Sequence, residues 1–139
     1  MPLGYLLDTN FVSETRRPRP NAGVTDFLLE HSPSHTFISV LTLGELRKGV
    51  ATRRARDPGA AETLARWVDQ LEADYSEQLI PVDRAIARLW GELSAGRPIP
   101  IVDTLIAATA LVHDLTLVTR NVRDVAGTGV GLLNPWTAG

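Results

Sequence analysis

Tyr5-Leu6-Leu7 is apolar throughout and breaks off at Asp8-Thr9-Asn10, and this pattern, a short fully apolar run ending in polar residues, constrains the chain most. It reads as a buried strand followed by a polar turn. Thr36-Phe37-Ile38-Ser39-Val40, Leu79-Ile80-Pro81-Val82 and Thr116-Leu117-Val118-Thr119 are further β-prone runs, and Gly131-Leu132-Leu133 is a weaker fifth. Between them apolar residues recur at helical intervals over 21–31, 41–52, 60–75, 83–95 and 102–113. Strands without polar alternation are covered on both faces, so the pattern predicts a parallel sheet between helices. Two helical stretches in succession, 41–52 and 60–75, make a hairpin after the second strand, which also offers a dimer face. Pro and Gly fall between these elements, and no repeat or long linker appears, so residues 1–139 read as one α/β domain.

Composition narrows the class. The 139 residues are 44% hydrophobic and 22% charged, which fits a globular chain rather than a disordered or fibrous one. No apolar run approaches the ~20 residues of a membrane span. The N-terminus lacks the pattern of a secretory signal. With no cysteine there is no disulfide framework and no thiolate metal site. A reducing cytoplasm is the expected compartment. The net charge of −2 argues against a grip on nucleic acid through overall charge alone.

The acids are more informative. In an open parallel sheet, sites form outside the carboxyl ends of the strands. Asp8 stands at the end of the first run, where it reads as a turn or N-cap residue or as a functional acid; Thr9 or Asn10 can cap a following helix equally well, which leaves Asp8 spare for the second role. Glu45 comes a turn and a half after the second run. An exposed pair with Lys48 at i,i+3 would account for it structurally. Its neighbour Gly44 costs roughly 0.5–1 kcal/mol in a helix interior, a cost more readily kept where something approaches the backbone closely. Asp103 shares a helix face with Ile106, Ala107 and Ala110, so it must be paired, protonated or bound to a metal. Asn121 and Asp124 follow the fourth run, where either can also be a turn former.

Two carboxylates ~4 Å apart repel by about 4 kcal/mol at an effective dielectric of 20. Gathered at one edge, these acids call for a cation or for raised pKa values. Oxygen donors alone suit hard ions, Mg²⁺ or Mn²⁺. Such an ion can activate water and stabilise charge developing on a phosphodiester. Without Asp8, Glu45, Asp103 and Asp124 the remaining charge is +2, and all the cations but Lys48 are arginines. Arg120 stands closest to the proposed site and is the better phosphate candidate, whereas Arg53, Arg54 and Arg56 read as a solvated helix face.

Four motifs in order resemble those of PIN-domain ribonucleases: Leu6-Leu7-Asp8-Thr9-Asn10, then Leu43-Gly44-Glu45-Leu46 with Lys48-Gly49, then Val102-Asp103-Thr104-Leu105-Ile106-Ala107-Ala108, then Leu117-Val118-Thr119-Arg120-Asn121 with Asp124. The closing Leu133-Asn134-Pro135-Trp136 is similar to the tail of the branch that includes the VapC and FitB toxins. The resemblance implies a three-layer α/β/α fold with a parallel sheet of about five strands. It implies an endoribonuclease that uses Mg²⁺ or Mn²⁺, the toxin half of a type II toxin–antitoxin pair. Such proteins are often dimeric, join their antitoxin in larger assemblies, and are held inactive by it.

By the same resemblance Asp8, Glu45, Asp103 and Asp124 form the catalytic acids, with Asp8 and Asp103 as direct metal ligands. Thr119, Arg120 and Asn121 lie on the substrate side. The family's fourth acid often directly follows the Thr-Arg pair. Asn121 occupies that position here, so Asn121 and Asp124 both stand as candidates to complete the site. A PIN-like module that binds a partner protein or RNA without cleaving is the competing reading. Haloacid-dehalogenase-like phosphatases and response-regulator receivers fit less well: Asn10 replaces the second Asp of the former, and no suitably placed Lys serves either.

Overall fold

The computed structural model describes residues 4–137. Five strands, β1 (Gly4–Leu7), β2 (Thr36–Ser39), β3 (Leu79–Ile80), β4 (Leu115–Val118) and β5 (Leu132–Leu133), form one sheet in the order β3-β2-β1-β4-β5. Every pairing is parallel. Successive strand residues point to opposite faces, and both faces are apolar. Leu6, Leu115 and Leu117 join one core with Ile86, Ile106, Ala107 and Ala110. Leu7, Ile38 and Val118 join the other with Phe11, Val24, Phe27, Leu46 and Val68.

Seven helices supply those outer layers. On the first side pack α5 (Arg84–Ser94) and α6 (Ile101–Val112). On the second side lie α1 (Thr9–Thr15), α2 (Ala22–Glu30), α3 (Val40–Arg54) and α4 (Pro58–Asp74). The short α7 (Val122–Val125) follows β4. The expected three-layer arrangement is therefore present, with the α3–α4 hairpin after β2. Arg47 pins that hairpin, reaching Asp69 at 2.5 Å and Glu72 at 3.3 Å. Among the described residues no helix is long and apolar enough to cross a membrane.

Local details depart from the sequence reading at the ends of β1 and β2. Residues 8–10 are not a free turn: Asp8 caps α1, a helix whose seven residues are too few for periodicity to reveal. Val40 begins α3 rather than ending β2, because the Ser39 side chain accepts from the Leu41 N–H at 3.0 Å and caps the helix there.

The C-terminal segment returns to this body. Asn21 Oδ1 accepts the Thr137 N–H at 3.0 Å, while Trp136 sits edge-on to Phe11 with centroids 6.0 Å apart. Gly23 makes the approach possible: a Cβ there would lie 1.8 Å from the Pro135 carbonyl oxygen.

Candidate functional site

The strand order reverses direction between β1 and β4, which makes their carboxyl ends the topological switch point of the sheet. Asp8 leaves β1 there and Thr119 leaves β4, and the Asp8 N–H donates to the Val118 carbonyl at 3.1 Å. Asp8, Asp103, Thr119, Asn121 and Asp124 line one cleft, floored by Ile106, Leu117 and Val125. Its volume of about 20 Å³ admits a water molecule or an ion, not a nucleotide. No basic side chain lines it.

Asp8 is only 9% exposed. One carboxylate oxygen accepts the Phe11 N–H at 2.7 Å, so Asp8 itself is the N-cap and is not spare, contrary to the sequence reading. Thr9 occupies the first helical position instead. Burial raises the Asp8 pKa, hydrogen bonds from Thr119 and the Phe11 N–H oppose the rise, and the charges of Asp103 and Glu45 add to it. The Thr119 hydroxyl oxygen accepts the Asn121 N–H at 2.9 Å.

Asp103 lies in the first turn of α6, where the helix dipole favours a carboxylate. It is half-buried beside Ile106, as its helix face predicted. Its pKa is also raised, by burial first, then by the negative charges of Asp124 and Glu45. Asp124 is exposed in α7. Asn121 begins that helix without capping it through its side chain.

Glu45 stands apart from the cleft wall. It does not pair with Lys48; its carboxylate accepts the Thr9 hydroxyl proton at 2.5 Å, and Thr9 Oγ1 is 3.1 Å from the Thr42 hydroxyl. The sequence reading gave Thr9 only the part of a candidate helix cap, not this contact with Glu45. Gly44 beside Glu45 would meet nothing within 4 Å if given a Cβ, so no part of this chain needs the glycine. Arg120 does not line the cleft either. Its guanidinium lies over the Trp136 ring, 5.8 Å from the centroid, and its charge helps lower the pKa of Glu14. Arg120 is thus exposed beside the C-terminal segment rather than on the cleft wall.

Among the described residues no three acids form a ready-made metal group. The chemistry of the cleft still suits a hard cation. Its donors are all oxygens, burial and then neighbouring negative charge raise the pKa values of Asp8 and Asp103, and no arginine or lysine on its wall offsets them.

A PIN domain model matches residues 5–126 of the chain. The chain belongs to the PIN domain family. Among PIN relatives, the toxin FitB of Neisseria gonorrhoeae is 32% identical over 138 residues, covering 94% of this chain and 97% of FitB. A plasmid stability protein, StbB, of Pseudomonas syringae pv. tomato is 31% identical, covering 96% of this chain and 99% of StbB. The crystal structure of FitAcB from Neisseria gonorrhoeae superimposes with a TM-score of 0.86 at 31% identity, over 96% of this chain and 99% of that one. The five-stranded parallel sheet and its helical layers are thus the PIN fold.

Proposed function

We propose that this PIN domain is a divalent-metal-dependent endoribonuclease and the toxin of a type II toxin–antitoxin pair. The observation that carries the reading is the ion-sized cleft at the switch point, lined by Asp8, Asp103 and Asp124 with no cation on its wall. Relatives named as VapC ribonucleases support the reaction class.

Asp8 and Asp103 are the direct ligands of a Mg²⁺ or Mn²⁺ ion in this reading, with Asp124 or Asn121 completing the site. A bound ion supplies the activation of water and the stabilisation of charge on the phosphodiester. The residues of the chain prepare that chemistry. The Phe11 N–H holds one oxygen of the Asp8 carboxylate in place. Ile106, Leu117 and Val125 limit the water around it. Thr9 holds Glu45 close enough for its charge to bear on Asp8 and Asp103. The carboxylates orient and do not attack covalently.

The partners follow the same reading. Solved neighbours include a toxin–antitoxin complex from Klebsiella pneumoniae and the FitAcB complex, so a cognate antitoxin is the expected inhibitor. The toxin would act in the cytoplasm as a homodimer or in a larger assembly with that antitoxin. Incubating purified protein with RNA, with and without Mn²⁺, tests the proposal. Metal-dependent internal cleavage, lost in Asp103→Asn, is expected. Cleavage that persists in chelator, or in Asp103→Asn, would contradict it.

A further inference from the structure

Beside Glu45, outside the acidic cleft, α3 carries a second and larger depression. It is an open cleft of about 480 Å³ lined by Glu45, Lys48, Gly49, Thr52, Arg53 and Arg56. Apart from Glu45 at one end, its charged residues are all cations. The lining residues Glu45, Lys48, Gly49, Thr52 and Arg53 are linked by three- and four-residue steps, so α3 turns them to one side, and Arg56 follows just past the end of the helix. From Glu45 to Arg53 the helix rises about 12 Å.

The other side of α3 treats its cation differently. Arg47 is spent on Asp69 and Glu72 of α4. Among the described residues the ion pairs are those of Arg47 and of Arg17 with Glu14, and none involves Lys48, Arg53 or Arg56. Gly49 in the middle of the cleft faces open space, with nothing of this chain within 4 Å of a Cβ placed there. A mid-helix glycine is unfavourable by roughly 0.5–1 kcal/mol relative to alanine, and internal packing does not explain it. Three uncompensated cations around a bare stretch of backbone suit a polyanion that lies close against the helix. They explain the Arg53 and Arg56 positions better than a solvated face does.

We infer that this cleft holds the RNA backbone next to the scissile phosphate, with Arg53, Arg56 and Lys48 as its phosphate contacts. The inference rests on the ribonuclease reading above and deepens it. Glu45 borders the cleft, and its charge reaches Asp8 and Asp103, so a strand lying along α3 would run from the cations towards the acidic cleft. Phosphate contacts of this kind position a strand without reading its sequence.

The test uses the doubly substituted Arg53→Gln/Arg56→Gln protein, with Arg66→Gln, an exposed cation of α4 outside the cleft, as the charge control. On a single-stranded RNA of a dozen nucleotides KM should rise at least fivefold more than kcat falls, and the penalty should shrink on a trinucleotide. In an Asp103→Asn background, the slope of log affinity against log salt should flatten by ~1.4, about 0.7 for each of two lost phosphate contacts. An unchanged KM and slope would overturn the inference, as would an equal effect of Arg66→Gln. A change of oligomeric mass in the double variant would also overturn it, marking the cleft as an interface between copies. If the unsubstituted protein cleaves no RNA, the ribonuclease reading fails and takes this inference with it; if it cleaves and only the variants behave normally, the inference fails alone.

Discussion

The Thr9 hydroxyl lies 2.5 Å from a carboxylate oxygen of Glu45, joining the helix that follows β1 to the helix that follows β2. The contact draws Glu45 away from Lys48, its neighbour along α3, and towards the carboxylates of the adjoining cleft. One hydroxyl thus sets where a negative charge stands, across 36 positions of sequence.

Thr9→Val keeps the shape of the side chain and removes that hydrogen bond. Stability should fall by about 0.5–1.5 kcal/mol, the ordinary net worth of such a bond, seen as a lower urea midpoint. RNA cleavage should fall more than this loss of folded protein explains. Cleavage at the unsubstituted rate would show that the placement of Glu45 is immaterial.

Asp8 combines a structural and a chemical task, and two substitutions separate them. Asparagine caps helices as well as aspartate and carries no buried charge, so Asp8→Asn should hold or raise the urea midpoint at neutral pH while eliminating cleavage. Asp8→Ala should eliminate cleavage and also cost about 0.5–2 kcal/mol through loss of the cap to Phe11. Equal stability of the two variants would argue against the capping role.

The raised pKa values of Asp8 and Asp103 have a signed consequence. An acid whose folded pKa exceeds its unfolded value keeps its proton longer in the folded state. Stability therefore declines as pH rises through the window between the two values, and stays lower above it. In the presence of chelator, Asp103→Asn should flatten this decline and melt above the unsubstituted protein at neutral pH. A melting curve whose pH dependence ignores the substitution would contradict the origin of the strain.

Added metal should reverse the penalty. If Mn²⁺ binds the folded chain alone, a concentration one hundred times its Kd stabilises by about 2.7 kcal/mol. The melting temperature of the unsubstituted protein should climb with Mn²⁺, and that of Asp103→Asn should hardly move. Protons compete for the same oxygens, so isothermal calorimetry should find weaker Mn²⁺ binding under mildly acidic conditions.

Two glycines in helices should respond oppositely to alanine. Gly44→Ala meets open space and should stabilise by roughly 0.5–1 kcal/mol. Gly23→Ala drives a methyl group into the Pro135 carbonyl and should destabilise by about 1–3 kcal/mol. Trp136 fluorescence should report the displaced C-terminal segment in Gly23→Ala alone.

Much of this architecture was legible in the residues because both faces of the sheet are buried. Leu6-Leu7 and Leu117-Val118 then show as unbroken apolar pairs, and each strand end is marked by a polar residue. Asp103 was legible too, since an acid among Ile106, Ala107 and Ala110 has no bland place to be. What stayed hidden was decided by short-range hydrogen bonds that leave no periodic trace. A seven-residue helix cannot announce itself, so α1 left no periodic signal, and the residues alone could not decide between Asp8, Thr9 and Asn10 as its cap. The packing of Arg120 over an aromatic ring sixteen residues later could not be read from its position after Thr119. The Lys48, Arg53 and Arg56 cluster needed three dimensions, because a cation's worth depends on whether a partner has already neutralised it.

The central strand of the sheet is the first to be synthesised, and its partner β4 comes more than a hundred residues later, Gly4 aligning with Leu115. Until that partner leaves the ribosome, β1 has an open edge and Asp8 has neither Thr119 nor Asp103 beside it. Sheets closed by such distant pairings form late and slowly. A nascent chain therefore emerges without its acidic cleft, which comes together only after the residues between β1 and β4 have been made.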